Sequence, residues 1–401
     1  MTPHSFGLIG VGGIGAYHLR SIQMLTREGV ASLVAVADPT LPRFPDVVRE
    51  LEAGGVRQYA NYRELLDREP GLDAVTIATP IPYHYEMTRA CVERGLFVHL
   101  EKPPVPLVQQ LEELIRLDVD QRVSVGFQMI GSVCVQRLKR LIVEGDLGTI
   151  RAIRAVGCWP RLDNYYTRAT WAGRMALNGD AVFDGPATNA LAHLIHNIMF
   201  LAGEGAHGFA VPEDVEAEVY RARPIESYDL AALRGRFAGG PEFSVVVTHA
   251  TEEKLPFRLA VEGDAGWALL SNDGSRLETS RGEVYDEDEP TQVLLDRNYH
   301  DFVAAIRDGS HRFPTRLVDT RGYVNTTNAM LVSSGGIRDV NPISVRRYSV
   351  GEEIGFDVSD LRDDVEATLR SGRLPSEWGR DWAVTRSKLV RLDELADLSL
   401  A

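Results

Sequence analysis

An α/β chain is expected from this sequence: a doubly wound parallel sheet at the N-terminus, then a second α/β domain built on a large, open, mostly antiparallel sheet. Three observations predict it. A glycine-rich turn near the N-terminus sits between a short apolar run and an amphipathic helical pattern. Short apolar runs then alternate with helical patterns up to Gly126, and beyond Gly203 the period changes to the alternation of half-buried strands.

The first stretch carries the most chemistry. Phe6 to Ile9 is an apolar run leading into Gly10-Val11-Gly12-Gly13-Ile14-Gly15; Leu19, Ile22 and Leu25 follow at helical spacing, and the run Leu33 to Ala37 ends on Asp38. Strand, glycine turn, helix, strand and acid in that order form the dinucleotide fingerprint of a Rossmann domain. Gly10 makes the tight turn, Gly12 lets the backbone approach a pyrophosphate, and Gly15 lets the helix pack close to the strand. Gly13 and Ile14 lie at the opening of the helix, whose free N–H groups and positive dipole end suit phosphate. Asp38 can accept hydrogen bonds from both ribose hydroxyls of NAD. NADP is disfavoured, because its 2′-phosphate would meet that carboxylate; Pro39 follows, and the first basic residue, Arg43, reads as solvated.

With 401 residues the chain has ample length for two domains. The expected division is residues 1–126 for the nucleotide, 127–340 for substrate and oligomerisation, and a tail, 341–401, that packs back on them. Cys91, Cys134 and Cys158 show no metal-ligand spacing and read as buried thiols of a cytoplasmic protein. No basic leader and no membrane-length apolar segment are visible, so no membrane partner is expected. A net charge of -14 argues against nucleic acid, and Asp286 to Glu289 reads as a solvated loop.

Further along, Val47 to Ala53 and 61–68 read as helices, the second capped by Asn61. Ala74 to Ala78 is a buried parallel strand ending in Thr79-Pro80, and His84 opens the next helix. Leu96 to Leu100 is another strand, running straight into Glu101-Lys102-Pro103-Pro104. Ligands of doubly wound sheets bind outside the carboxyl ends of the strands, so Thr79, Pro80, His84, Glu101 and Lys102 should border the cofactor.

The order GVGGIG, Asp38, TPIPYH, EKPP resembles the Gfo/Idh/MocA family of NAD(P)-dependent oxidoreductases, named for glucose–fructose oxidoreductase and inositol dehydrogenase. The passage from the helix Val133 to Val143 through Gly145-Asp146-Leu147-Gly148 into the strand from Ile150 is similar to that family's entry into its second domain. The resemblance implies a lysine, here Lys102, between cofactor and substrate. It also implies an Asp-x-x-x-His helix whose histidine is the acid/base; His193 matches, with Asn189 in place of the aspartate. An amide can orient an imidazole but lends it no negative charge. Gln128 stands near the place of the family's Asn-x-Arg, and as a substrate contact it departs from the pattern.

The loop from Trp159 to Arg174 brings Trp159, Arg161, Tyr165 and Arg168 as candidate substrate residues, since rings stack on sugar C–H faces and arginine binds hydroxyls or anions. Gly185-Pro186 starts a helix expected to carry Asn189, His193, His196 or Asn197, and Phe200 on one face. His193-x-x-His196 invites a metal reading, but no third ligand lies nearby and none is expected. Beyond it, strands at 215–222, 230–238, 243–249, 257–262 and 267–271 should make the open sheet. Val246 opposes Val245 and Val247, so both faces are apolar; one should pack on the His193 helix and the other on a second copy, giving a homodimer or homotetramer. The expected reaction is hydride transfer between NAD and a secondary alcohol or ketone of a sugar or cyclitol, neutral because the arginines are scattered in sequence. Two other classes share the fold implied by the resemblance: a redox-neutral glycosidase and a non-catalytic nucleotide sensor.

Overall fold

The computed structural model describes residues 3–383, 387–395 and 398, and the chain folds as two compact units. The first holds the chain through Val105, Gln110–Gly131 and Glu289–Thr320; the second holds Pro106–Gln109, Ser132–Asp288 and the chain from Arg321 onward.

Six strands make the sheet of the first unit: β1 (His4–Ile9), β2 (Ala31–Ala37), β3 (Arg57–Tyr59), β4 (Ala74–Ile77), β5 (Phe97–Leu100) and β6 (Val123–Val125). All pairs are parallel, in the order β3-β2-β1-β4-β5-β6, so the chain reverses direction across the sheet between β1 and β4. Every residue of β4 is buried, as strands covered by helices on both faces must be. The helix Gly15–Arg27 lays Leu19, Ile22 and Leu25 into a cluster with Phe6, Leu8 and Val36. Asn61 caps the helix Tyr62–Arg68, its side chain accepting the Arg63 N–H at 2.8 Å.

One element joins this unit from far along the chain. The helix Thr291–Arg307 sends Leu295, Tyr299, Phe302 and Val303 into the same cluster, where the Phe302 ring meets Phe6 edge-on at 6.0 Å. Residues 289–320 thus pack with the first unit, whereas a single cut at residue 126 would assign them to the second. Each such large side chain contributes about 1.5–3 kcal/mol by leaving water, and sequence order has no say in where that burial is found.

The second unit is organised on a ten-stranded sheet. Its centre is β7 (Ile150–Cys158), flanked on one side by the parallel strand Glu242–Thr248 and on the other by the antiparallel strand Leu255–Gly263. Leu230–Arg236, Asp214–Arg221 and the short Arg338–Asp339 continue beyond the first, with Val390–Arg391 also paired to Asp214–Arg221; Trp267–Ser271, Arg276–Thr279 and Val284–Asp286 continue beyond the second. The last two strands escape the sequence pattern because they are three or four residues long and polar, held partly by Arg276 pairing with Glu278 and Asp286.

Register sorts the side chains into two faces. Leu233, Val245, Ala155 and Leu259 line up on one, and Ala232, Val246 and Val156 on the other. The first faces the helix Ala192–Ala202: an added Cβ at Gly157, which shares the parity of Ala155, would lie 3.6 Å from the Leu191 side chain just ahead of that helix. The second is not free for a partner. Leu361, Val365 and Leu369 of the helix Leu361–Ser371, with Leu374 and Trp382, bury it, and Arg258 pairs with Glu366 at 2.6 Å. The tail supplies the cover that sequence assigned to a second copy, so the apolar-face case for a homodimer or homotetramer fails over these strands.

Candidate active site

In the nucleotide half the glycines are required by space. Gly10 has φ +92, and a Cβ there would sit 2.5 Å from the Ala78 carbonyl oxygen; one on Gly15 would sit 2.4 Å from the Gly10 oxygen. The helix that follows has no side-chain cap at Ile14 and no acid in its first turn, leaving its N-terminus suited to phosphate. Asp38 is 7 % exposed at the end of β2. One carboxylate oxygen accepts the Val11 N–H at 2.9 Å and the other accepts the Thr40 N–H and hydroxyl, each at 2.7 Å. A carboxylate offers about four lone pairs, so room remains for a ribose hydroxyl, and the glycine cradle and acid fit a bound dinucleotide. Arg43 is exposed, as expected.

Thr79 and Pro80 follow β4, part-buried. His84 is buried, with Nδ1 2.8 Å from the Pro103 oxygen and Nε2 2.8 Å from the Thr79 oxygen. The ring is held by burial below the usual imidazole pKa, while the two carbonyl oxygens act in the opposite sense. It ties the loops after β4 and β5 together, and both nitrogens face protein, so its bearing on a cofactor is through those loops.

Behind Lys102 lies a polar relay that sequence did not reveal. Glu101, 4 % exposed, accepts the Lys102 N–H at 3.0 Å and the His18 Nε2 at 3.0 Å; His18 Nδ1 meets the Tyr299 hydroxyl at 2.8 Å, and that hydroxyl meets Thr76 at 2.9 Å. Burial drives the Tyr299 phenol well above its usual pKa, keeping it a donor. The pattern that satisfies every group runs Thr76 to Tyr299 to His18 to Glu101, each donating to the next, and such chains polarise cooperatively. The helical stripe held a signal, since His18 stands four residues before Ile22 on the buried face; Tyr299 lies too far along the chain for any local pattern to find. Gln128 is buried in the turn Gln128–Gly131, and its amide oxygen has no hydrogen-bond partner.

The second unit holds the other chemical centre. Pro186 does start a helical segment, but the first turn, Pro186–Ala190, is wound as a π-helix and the α-helix begins only at Ala192. Asn189 therefore sits on the wide turn and His193 on the first α-turn, a break of the sort often found at functional sites. A carboxylate does lie beside Asn189: Asp184, 2 % exposed, accepts the Asn189 amide N–H at 2.8 Å and the Gly173 N–H at 2.7 Å, with Arg168 3.7 Å away. That bond fixes the Asn189 amide so that its oxygen is turned away from Asp184. Phe183, just before, has φ +54, a conformation costing a bulky residue on the order of 1–3 kcal/mol. His196 is a core residue: it is fully buried and stacks on Phe209 at 5.0 Å, and burial, reinforced by His193, holds its pKa well below the usual value.

The loop residues scattered in sequence are gathered in space. The Arg168 guanidinium lies 3.6 Å from the Tyr165 ring centre and 4.7 Å from that of Trp171, and Arg161 lies 4.6 Å from Tyr165 and 5.7 Å from Trp159. Trp159 is itself pinned by its indole N–H to Asp273 at 3.1 Å. The Tyr165 neighbourhood also includes His249, whose ring is 5.6 Å away.

Two family models match this chain: an oxidoreductase family with an NAD-binding Rossmann fold over residues 4–128, and a GFO/IDH/MocA C-terminal domain over residues 135–269. The chain belongs to the Gfo/Idh/MocA oxidoreductase family. It is a dehydrogenase of CH–OH groups with an NAD-binding Rossmann domain. An inositol 2-dehydrogenase of Streptomyces avermitilis is 27% identical over 345 residues, 82% of this chain and 90% of that protein. The scyllo-inositol 2-dehydrogenase (NAD(+)) of Bacillus subtilis is 35% identical over 146 residues, 35% of this chain and 40% of its own. Among solved structures, the WlbA dehydrogenase of Bordetella pertussis, in complex with NADH and UDP-GlcNAcA, aligns with a TM-score of 0.70 at 22% identity, covering 83% of this chain and 96% of that one. A levoglucosan dehydrogenase with NADH aligns at 0.71 and 18%, covering 83% and 97%. These likenesses show the shared Gfo/Idh/MocA fold.

Proposed function

We propose that this Gfo/Idh/MocA protein is an NAD-dependent dehydrogenase that oxidises a secondary alcohol of a sugar or cyclitol, or reduces the corresponding ketone. NAD, when bound, supplies the hydride acceptor. Everything else falls to the chain. An alcohol losing hydride from its carbon must lose the hydroxyl proton, so a base has to reach that oxygen. His193, on the first α-turn after the wide turn that carries Asn189, is the candidate base, and Lys102 stabilises the developing alkoxide. The observation that carries this reading is the anchoring of Lys102: its backbone is held by Glu101 at the end of the buried relay from Thr76, at the carboxyl end of β5 where doubly wound sheets place ligands. The names of the inositol dehydrogenase relatives support the polyol class.

Asp38 supports NAD over NADP, since a carboxylate at the end of β2 would repel a 2′-phosphate and the nearest downstream cation, Arg43, is exposed. The test is turnover on a panel of sugars and cyclitols. Lys102→Ala and His193→Ala should each lower kcat by roughly 100-fold or more while NADH affinity, measured by fluorescence titration, stays near wild type, and NADPH should bind more weakly than NADH. Wild-type turnover in both variants defeats the assignment; sugar release from glycosides without net NADH would move it to the redox-neutral class.

A further inference from the structure

We propose that Arg161, Arg168 and His249 form a subsite for a carboxylate and its neighbouring hydroxyl, so that the sugar this enzyme takes is an acidic one, a uronic or aldonic acid. The inference rests on the dehydrogenase reading and narrows its substrate class.

Arg161 and Arg168 bring two guanidinium groups to the ring of Tyr165. A third, Arg223, lies beside them over Tyr166, but it is 5 % exposed and is committed to Asp163 and to the backbone oxygens of Arg161 and Ile354. Arg168 has Asp184 at 3.7 Å. Arg161 has no ion pair among the described residues, and its Nε is closed off from solvent without a hydrogen-bond partner. One cation in a three-arginine cluster is therefore uncompensated.

His249 supplies the complementary half. It is 3 % exposed, and its Nδ1 lies 2.7 Å from the Trp159 carbonyl oxygen, which can only accept. The proton is thus on Nδ1, and Nε2 carries a lone pair. That Nε2 is buried with no partner. The two residues are neighbours, the Arg161 N–H donating to the His249 carbonyl at 3.4 Å. Burial and then the Arg161 charge push the His249 pKa down to about 3, so the ring remains an acceptor at any working pH. An unfilled donor and an unfilled acceptor thus sit on two residues in contact, beside an uncompensated charge. A carboxylate oxygen on the guanidinium groups and a hydroxyl donating to Nε2 fill both and neutralise the free charge; a neutral polyol fills the hydrogen bonds and leaves the charge.

The experiment titrates the NADH-loaded full-length protein by calorimetry with D-glucuronate and D-gluconate, against D-glucuronamide, D-glucose and myo-inositol. At least one acid should bind 10-fold or more tighter than the neutral probes. Arg161→Met and Arg168→Met should each cut that affinity by roughly 10- to 100-fold, and His249→Phe should weaken it as well. Arg168 lies at the exposed rim, so its variant reports even if Arg161→Met folds poorly. Equal binding of acid and neutral probes, no binding of either acid, or acid affinity unchanged in Arg168→Met overturns the proposal. Turnover separates the two readings: NADH formed only from neutral polyols defeats the acidic subsite and leaves the dehydrogenase standing, whereas tight acid binding with no NADH from any probe does the reverse.

Discussion

Each of the two units of this chain buries a histidine beside a polar cluster, and the two are satisfied differently. His18 spends both ring nitrogens, one on Glu101 and one on Tyr299, in a relay whose every member bonds the next. His249 spends one nitrogen on Trp159 and leaves the other buried and empty, next to an arginine whose Nε is also empty. A closed network rigidifies what it holds, here the backbone leading to Lys102, because any movement breaks several bonds at once. An open one costs stability until something fills it. In these two histidines the completeness of hydrogen bonding differs, and with it the role proposed for each: His18 positions, and His249 takes a ligand.

Substitution at the two sites offers the largest contrast. Glu101→Leu strands the His18 Nε2–H and the Lys102 N–H, and is expected to cost roughly 3 kcal/mol in urea unfolding and to depress kcat along with it. His249→Gln breaks no bond at Nε2 and gives up only the Nδ1–H bond to the Trp159 carbonyl, so it should cost about 1 to 1.5 kcal/mol at neutral pH. Equal losses at the two positions would erase the distinction between closed and open networks.

The pH profile follows in size. His249 is held down to about 3 and His99, fully buried and stacked on Tyr299 at 4.4 Å, down to about 4, both chiefly by burial. Below the ordinary histidine pKa the unfolded chain takes up these protons and the native chain does not, so stability is lost as pH falls from about 6.5 to 4, at about 1.4 kcal/mol per unit for each group. Asp229, pushed up to about 6 by burial, acts in the opposite sense, since its native form binds a proton first between pH 6 and its ordinary range. His84 and His196, also held down by burial, act in the same sense as His249 and His99, so the net expectation is a loss of stability as pH falls through this window, read as a falling Tm. His249→Gln should flatten that slope; an unchanged slope would place the histidine in solvent.

The smallest effect is at the far end of the relay. Thr76→Val removes only the donor to the Tyr299 hydroxyl, and should cost about 1 kcal/mol with kcat reduced less than in Glu101→Leu. A fall in kcat as large as at Glu101 would show that the relay acts as a unit rather than through its last bond.

Local chemistry made much of this molecule legible from the chain alone. The glycine turn, Asp38, the buried run at β4, the Asn61 cap and the alternating strands are set by φ/ψ limits and side-chain periods that operate over a few residues, and they stand where sequence puts them. Lys102 and His193 are proposed from motif alone. Only the tertiary structure decided what those motifs are held by. Tyr299 reaches His18 from 281 positions away, Asp184 holds the Asn189 amide, Arg161 and Arg168 meet on one ring, and the tail takes the sheet face that a second copy was expected to cover. Each is a long-range closure: the free energy of burying a ring or satisfying a carboxylate is indifferent to sequence distance, so no local period records which partner will provide it.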